Sequence, residues 1–213
     1  MEPILLIDKP KGITSFDVIR RLRKKLGIQK MGHAGTLDPL ASGLMIVGVG
    51  EGTKKLGEYL KLPKIYDAEV FVGERRSTGD TEGEVLEKVS VAGLNLDHVR
   101  EVLRGMVGIL ELQVPAYSAV KVGGRRLYAE ARKGVHIEPP MRAMELRNAT
   151  LHSIEKEGDG YVLDVCFSVA SGVYIRSLAE EFGRRLGYPA TLKNLRRTQI
   201  GEFRIEDAQK LEV

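Results

Sequence analysis

Residues 143–170 read AMELRNATLHSIEKEGDGYVLDVCFSVA, and the second half places Tyr161, Leu163, Val165, Phe167 and Val169 at every other position. A period of two marks a strand with one face against a core, because successive side chains leave a pleated chain on opposite sides. EGDG, just before it, supplies the glycine and aspartate of a tight reversal, so the two halves are expected to pair as a hairpin. A long antiparallel pair commits the chain to a sheet, and the remaining segments must cover its apolar face.

Several segments carry the helical period instead. After the turn KPKGITS, Phe16, Ile19, Leu22 and Leu26 recur at helical spacing until Gly27, with Ser15 or Thr14 placed to cap the start. Thr53 is expected to start a helix in KKLGEYLKL. DHVREVLRGMVG has a helical period and a glycine stop, and RRLYAEARKG gives one to two turns ending at Gly134. Ile175, Leu178, Ala179, Phe182 and Leu186 mark an amphipathic helix closed by Gly187. PILLID, GLMIVGVG and YDAEVFVG read as strands, ERRSTGDTEGE at 74–84 as a polar loop, and LELQVPAYSAVKV as extended chain broken at Pro115. Helices and antiparallel pairs mix without a regular βαβ rhythm, which predicts the α+β class. No repeat, low-complexity segment or linker divides the chain, so a single domain over residues 1–213 is expected.

Composition narrows the function. Cys166 is the only cysteine, which excludes a disulfide framework and a thiolate cluster within the chain, and its apolar context suits a small buried hydrophobe. His33, His98, His136 and His152 show no metal-binding spacing, so no metal is expected. No apolar stretch approaches a membrane span and the N-terminus lacks the features of a signal peptide, so a cytoplasmic location is expected. The glycines of GVGEGTKK fit neither a phosphate-binding loop nor a dinucleotide fingerprint and serve a strand-to-helix turn. Net charge is only +4, yet RRLRKK at 20–25 holds five cations in six residues, and Lys193, Arg196 and Arg197 form a second cluster. Local positive charge of this kind suits a polyanion, although a basic run can equally be a solvated helix face.

Three polar constellations stand out. GHAGTLDPLASGL at 32–44 sets Asp38 among glycines and a proline, which is either a turn aspartate or a carboxylate held at a fixed angle. SGVYIRS at 171–177 places Arg176 at the opening of a helix, where the dipole disfavours a cation and an acidic partner is called for. A carboxylate paired with arginine stays ionised, which suits a nucleophile or general base. VPAYSAVKVGGRRLYAEARKG interleaves Tyr117 and Tyr128 with Lys121, Arg125, Arg126, Arg132 and Lys133, a pattern suited to stacking on bases and contacting phosphates, or to core tyrosines in a strand.

Taken in order, DKPKGITSFDVI, GHAGTLDPLASGLMIVGVGEGTK, STGDTEG, VPAYSAVKVGGRRLYAEARKG, VYIRSLAEEFGRRLG and LRRTQIGEF resemble the TruB-type tRNA pseudouridine synthases of bacteria. The resemblance implies a pseudouridine synthase fold, with a central mixed, mainly antiparallel sheet flanked by helices and loops. It implies isomerisation of uridine 55 in the T arm of tRNA, with Asp38 catalytic, Arg176 its ion-pair partner and Tyr66 stacked on the target base. His33, Tyr174, Asp80 and Leu195 match motif residues that contact RNA or line the pocket. Phosphate contacts are expected from Lys9, Arg20, Arg21, Arg23, Lys24, Lys121, Arg125, Arg126 and Arg132. The reaction is an isomerisation, so no cofactor is implied. The partner is the T-arm stem-loop, with no membrane, no obligatory protein partner and a monomeric state. Bacterial members usually continue into a small C-terminal RNA-binding domain, which is expected to be absent here because the sequence stops at Val213. Where Arg76 stands the family more often has threonine, so Arg76 adds a phosphate contact or changes the order of its loop. A tRNA-binding or tRNA-folding chaperone, with catalysis secondary, is the alternative, and a glycoside-hydrolase-like reading lacks a second acid.

Overall fold

The computed structural model describes residues 3–211, so the two residues at each end, including the terminus at Val213, lie outside it. In chain order, β1 (Ile4–Lys9) leads through α1 (Ser15–Leu26) to β2 (Met31–His33) and β3 (Ala41–Val49). A 3-10 turn at Gly50–Lys55 runs into α2 (Leu56–Lys61), then β4 (Lys64–Val72), β5 (Glu74–Arg76) and β6 (Val85–Lys88). Next come α3 (Leu96–Met106), β7 (Gly108–Gln113), β8 (Lys121–Val122), β9 (Arg125–Arg126) and α4 (Leu127–Ala131). β10 (Met141–Glu157), β11 (Gly160–Val169), α5 (Ile175–Leu186), β12 (Ala190–Ile200), β13 (Phe203–Arg204) and β14 (Gln209–Lys210) complete the order. The α+β expectation holds. No helix among the described residues is long and apolar enough to cross a membrane.

The described chain divides into two compact units. The first holds the described residues up to Asp67, Ser168–Ser171, and the described residues from Asn194. Its strand order begins β14-β1-β3-β12. The β1–β3 pair is antiparallel, whereas β1–β14 and β3–β12 are parallel, which makes the sheet mixed. Its core gathers Ala34, Leu44, Ile46 and Ile200, with Leu6, Leu62 and Ile205 packed against them. Tyr59 meets Phe203 edge to face at 5.5 Å, the offset that the ring quadrupoles favour.

α1 forms as its sequence dictates. Thr14, not Ser15, is the N-cap: its hydroxyl accepts from the Asp17 amide at 3.1 Å, while the Asp17 carboxylate accepts from the Thr14 amide at 2.8 Å. The Thr14 hydroxyl, which also donates to the Asp17 carboxylate at 2.7 Å, contributes most to holding that carboxyl down to about 2, followed by the Thr14 amide and Arg20. Gly27 ends the helix at φ 70°. The buried face is Val18, Ile19 and Leu22, while Phe16, expected inside, is 58 % exposed.

The second unit comprises Ala68–Phe167 and Gly172–Lys193. β10 pairs antiparallel with β7, and α3 and α5 pack on this part of the sheet and on each other. Val99, Leu103, Met106, Leu178 and Phe182 fill the space between. The hairpin turns where the sequence placed it, with Gly158 at φ 57°, and Leu163, Val165 and Phe167 are fully buried.

Two local expectations need correction. Thr53 lies inside the 3-10 turn, donating to the Gly50 carbonyl at 2.7 Å, and does not cap α2. Residues 74–84 are not wholly loop: β5 pairs antiparallel with β6, the register shifting between Arg75 and Arg76. Charged residues obscured that strand, whose side chains pair across the ladder, Arg75 with Glu87 and Glu74 with Lys88.

Candidate active site

Residues 34–40 join β2 to β3 as irregular chain whose backbone is nonetheless tied down. The Ser15 hydroxyl accepts from the Leu37 amide at 2.8 Å and donates to the Leu37 carbonyl at 3.0 Å. The Gly12 amide donates to the Pro39 carbonyl at 2.8 Å, and the Ala41 amide to the Asp38 carbonyl at 3.1 Å. Both neighbours of Asp38 are therefore anchored to the entry of α1. Asp38 itself is half-buried, and its main chain cannot turn without breaking these bonds.

Arg197, counted in sequence as part of a polyanion-binding cluster, anchors this loop from the other side. It is 1 % exposed, with Nε donating to the Leu44 carbonyl at 2.7 Å and Nη2 to the Gly35 carbonyl at 3.2 Å. Gly43, at φ 107°, makes room: a Cβ there would lie 2.3 Å from the Arg197 carbonyl oxygen. The other two members of the cluster are engaged as well. Arg196 is bidentate with Asp8, at 2.8 and 3.1 Å, and Lys193 is ion-paired with Glu157. This cluster is structural.

The other site residues expected in the first unit are His33, Tyr66 and Leu195, with Lys9 for phosphate. His33 is half-buried, and burial, followed by the Arg197 charge, pushes its pKa below the usual histidine value. Its Nδ1 is buried and has no hydrogen-bond partner among the described residues. Tyr66 on β4 is 8 % exposed and Leu195 on β12 is 7 % exposed. Lys9 is corrected outright. It is 0 % exposed, and its Nζ donates to the carbonyls of Pro10 at 2.9 Å and Ile13 at 2.7 Å, so it holds the turn before α1 and offers no charge to a phosphate. A second buried lysine, Lys64, donates to the Leu60 and Leu62 carbonyls at 2.6 and 2.5 Å. Burial, then the Arg197 charge, lowers its pKa to about 8.

In the second unit, Arg176 occupies the first turn of α5 and has the acidic neighbour its unfavourable place in the helix dipole requires. Its Nη1 lies 3.7 Å from the Asp80 carboxylate and donates to the Thr78 carbonyl at 2.8 Å, while Nη2 donates to the Tyr117 carbonyl at 3.0 Å. Asp80 also accepts from the Thr78 hydroxyl at 2.6 Å and the Glu82 amide at 3.1 Å. This local turn needs Gly83, where a Cβ would sit 2.4 Å from the Thr78 hydroxyl. Arg76 donates to the carbonyls of Thr81 and Gly83 and to the Glu74 carboxylate, so it orders the loop. Tyr174 is half-buried at the start of α5. Sequence reasoning missed Glu180, one turn after Arg176, whose pKa is raised chiefly by burial with the Asp80 charge adding to it. Its i, i+4 spacing from Arg176 was the available signal. A cavity of about 220 Å³ in this unit is lined by Ser77, Tyr117, Leu127 and His136.

The remaining basic residues differ in availability. Lys24, Lys121, Arg126 and Arg132 are exposed, as are Arg20, which pairs with Asp17, and Arg125, 3.7 Å from Glu130. Arg21 and Arg23 are half-buried. Tyr128 is flanked by cations of its own segment: Arg132 lies 5.6 Å from the ring centroid and Arg126 donates to the hydroxyl at 3.3 Å.

Residues 23–175 match the model of the TruB family pseudouridylate synthase N-terminal domain. The tRNA pseudouridine synthase B of Bacillus licheniformis is 42% identical over 211 residues, covering 98% of this chain and 68% of the relative. That of Thermobifida fusca is 38% identical over 218 residues, covering 98% of this chain and 73% of the relative. Among solved structures, a Cbf5-Nop10-Gar1 complex is similar at a TM-score of 0.70 and 26% identity over 98% of this chain. An H/ACA RNP bound to a substrate RNA containing 2'-deoxyuridine gives a TM-score of 0.70 at 24% identity over 97% of this chain. The chain spans about half the length of these solved chains, 52% and 50%.

Proposed function

Since the chain belongs to the TruB family of pseudouridylate synthases, we propose that it converts uridine 55 in the T arm of tRNA to pseudouridine, with Asp38 as the catalytic carboxylate. The observation that carries this reading is the double anchoring of Leu37 and Pro39, which fixes the backbone on either side of Asp38. An enzyme whose chemistry rests on one carboxylate needs it held at a defined angle to the sugar and base.

The reaction balances without a donor. The bond between N1 and C1′ breaks, the uracil turns over, C5 joins C1′, the C5 proton leaves and N1 gains one. No electron, phosphate or transferred group is consumed, so no cofactor is required. The target base lies within a folded arm and must leave its stack to reach a protein carboxylate, at a cost of a few kcal/mol. Tyr66 restores roughly 1–3 kcal/mol of it by stacking. Tyr66 is 8 % exposed, so stacking on it requires that its ring be uncovered as RNA binds. The pairing of Asp38 with Arg176 expected from the motif belongs to this proposal, as do the pocket roles of His33, Tyr174, Asp80 and Leu195. So does action as a monomer in the cytoplasm with no obligatory protein partner. His33, with its lowered pKa, acts toward RNA as a neutral hydrogen-bonding group.

The test is release of tritium from C5-labelled uridine in a T-arm stem-loop. The unsubstituted chain releases it without ATP or added metal, and Asp38→Asn abolishes release while still retaining the RNA on a filter. Turnover by Asp38→Asn removes Asp38 from the mechanism.

A further inference from the structure

Phe16 is an exposed aromatic whose placement neither the core nor the catalytic scheme explains. It sits in the first turn of α1, 58 % exposed, although the neighbouring Val18 and Ile19 are buried. The ring is not loose. The Arg23 guanidinium lies over it at 5.9 Å from the centroid, and that guanidinium is itself fixed by donation to the Met31 carbonyl at 3.2 Å. Positions 16, 20, 23 and 24 fall on one stripe of a helix, so the stripe reads Phe16, Arg20, Arg23, Lys24. Arg20, which also pairs with Asp17, and Lys24 are exposed. A flat aromatic surface backed by a cation, beside two more cations, is the chemistry that accepts a nucleobase and its flanking phosphates. An acidic or purely apolar partner would use only half of it.

Its position ties it to the reaction. Ser15, the adjacent residue, holds Leu37 by both its amide and its carbonyl, and Leu37 precedes Asp38. We propose that Phe16 is a stacking platform for a base of the tRNA arm next to the target uridine, with Arg20 and Lys24 on the phosphates beside that base. The proposal rests on the tRNA reading of the site.

The chain contains no tryptophan, so Phe16→Trp installs a single reporter at the platform. T-arm RNA added to Phe16→Trp quenches the indole emission, and inorganic polyphosphate, which carries charge but no bases, does not. Phe16→Ala weakens T-arm binding by about tenfold, the scale of one lost base–aromatic stack. Phe16→Leu keeps apolar bulk and fold but loses the stacking face, and weakens binding equally; Phe16→Trp binds as the unsubstituted chain does. Unchanged indole emission at saturating RNA, or Phe16→Leu binding as tightly as the unsubstituted chain, overturns the proposal. Tritium release by the unsubstituted chain is read separately. Its absence overturns the tRNA reading, whereas its presence together with an unquenched indole overturns only the platform.

Discussion

At the scale of single residues, the first unit is governed by buried cations whose charge is met by backbone carbonyls. Lys9, expected to contact phosphate, and Arg197, expected to join a polyanion-binding cluster, are both buried, as is Lys64. A charged amine or guanidinium is tolerated inside only with several acceptors around it, and each of these has at least two. Lys64 makes the consequence measurable. Its pKa of about 8 in the folded chain lies below the ordinary lysine value of 10.5, so between those values the unfolded chain binds a proton that the folded chain has released. Stability then rises with pH across that window. The Tm difference between the unsubstituted chain and Lys64→Met, followed by circular dichroism from pH 7 to 10, is expected to shift in favour of the unsubstituted chain. An unchanged difference would show that the amine titrates alike in both states.

At the scale of elements, α1 and the β3–β12 pair decide whether Asp38 is presented at all. Thr14 starts the helix whose next residue clamps Leu37. Thr14→Ala removes the side-chain cap and is expected to cost about 1 kcal/mol, or roughly 2–4 °C in Tm for a chain of this size. The β3–β12 pair is less forgiving. Gly43→Ala places a methyl 2.3 Å from the Arg197 carbonyl oxygen at a positive φ, so the two strands must part. Loss of soluble folded protein, read by yield and by circular dichroism, is the expected result. A Gly43→Ala chain of unaltered Tm would mean that the Arg197 backbone gives way at little cost.

At the scale of the whole molecule, the net charge of +4 understates the separation of roles among the 33 lysines and arginines. Some are neutralised within the fold, as Arg196 is by Asp8, and others, such as Arg126, stand free of carboxylates in the exposed β8–β9 hairpin. RNA affinity is expected to fall linearly with salt on logarithmic axes, each phosphate contact adding about 0.7–0.9 to the slope. Replacing Arg125 and Arg126 together by glutamine flattens the slope by about 1.5, while Arg196→Gln leaves it unchanged. A titration of binding from low to moderate salt separates the two outcomes.

The local sequence alone determined α1 with its cap and its stop at Gly27, the hairpin at Gly158, and the need of Arg176 for an acid, because each depends on residues a few positions apart. The motif order was enough to identify the family. Only the tertiary structure decided which cations are bound into the fold and which stay exposed, since Arg197 meets Leu44 across 153 residues of sequence. It likewise turned Phe16 outward, because α1 buries the stripe through Val18, Ile19 and Leu22. Helical periodicity identifies a stripe of apolar side chains, and the neighbouring strands choose which part of it they cover.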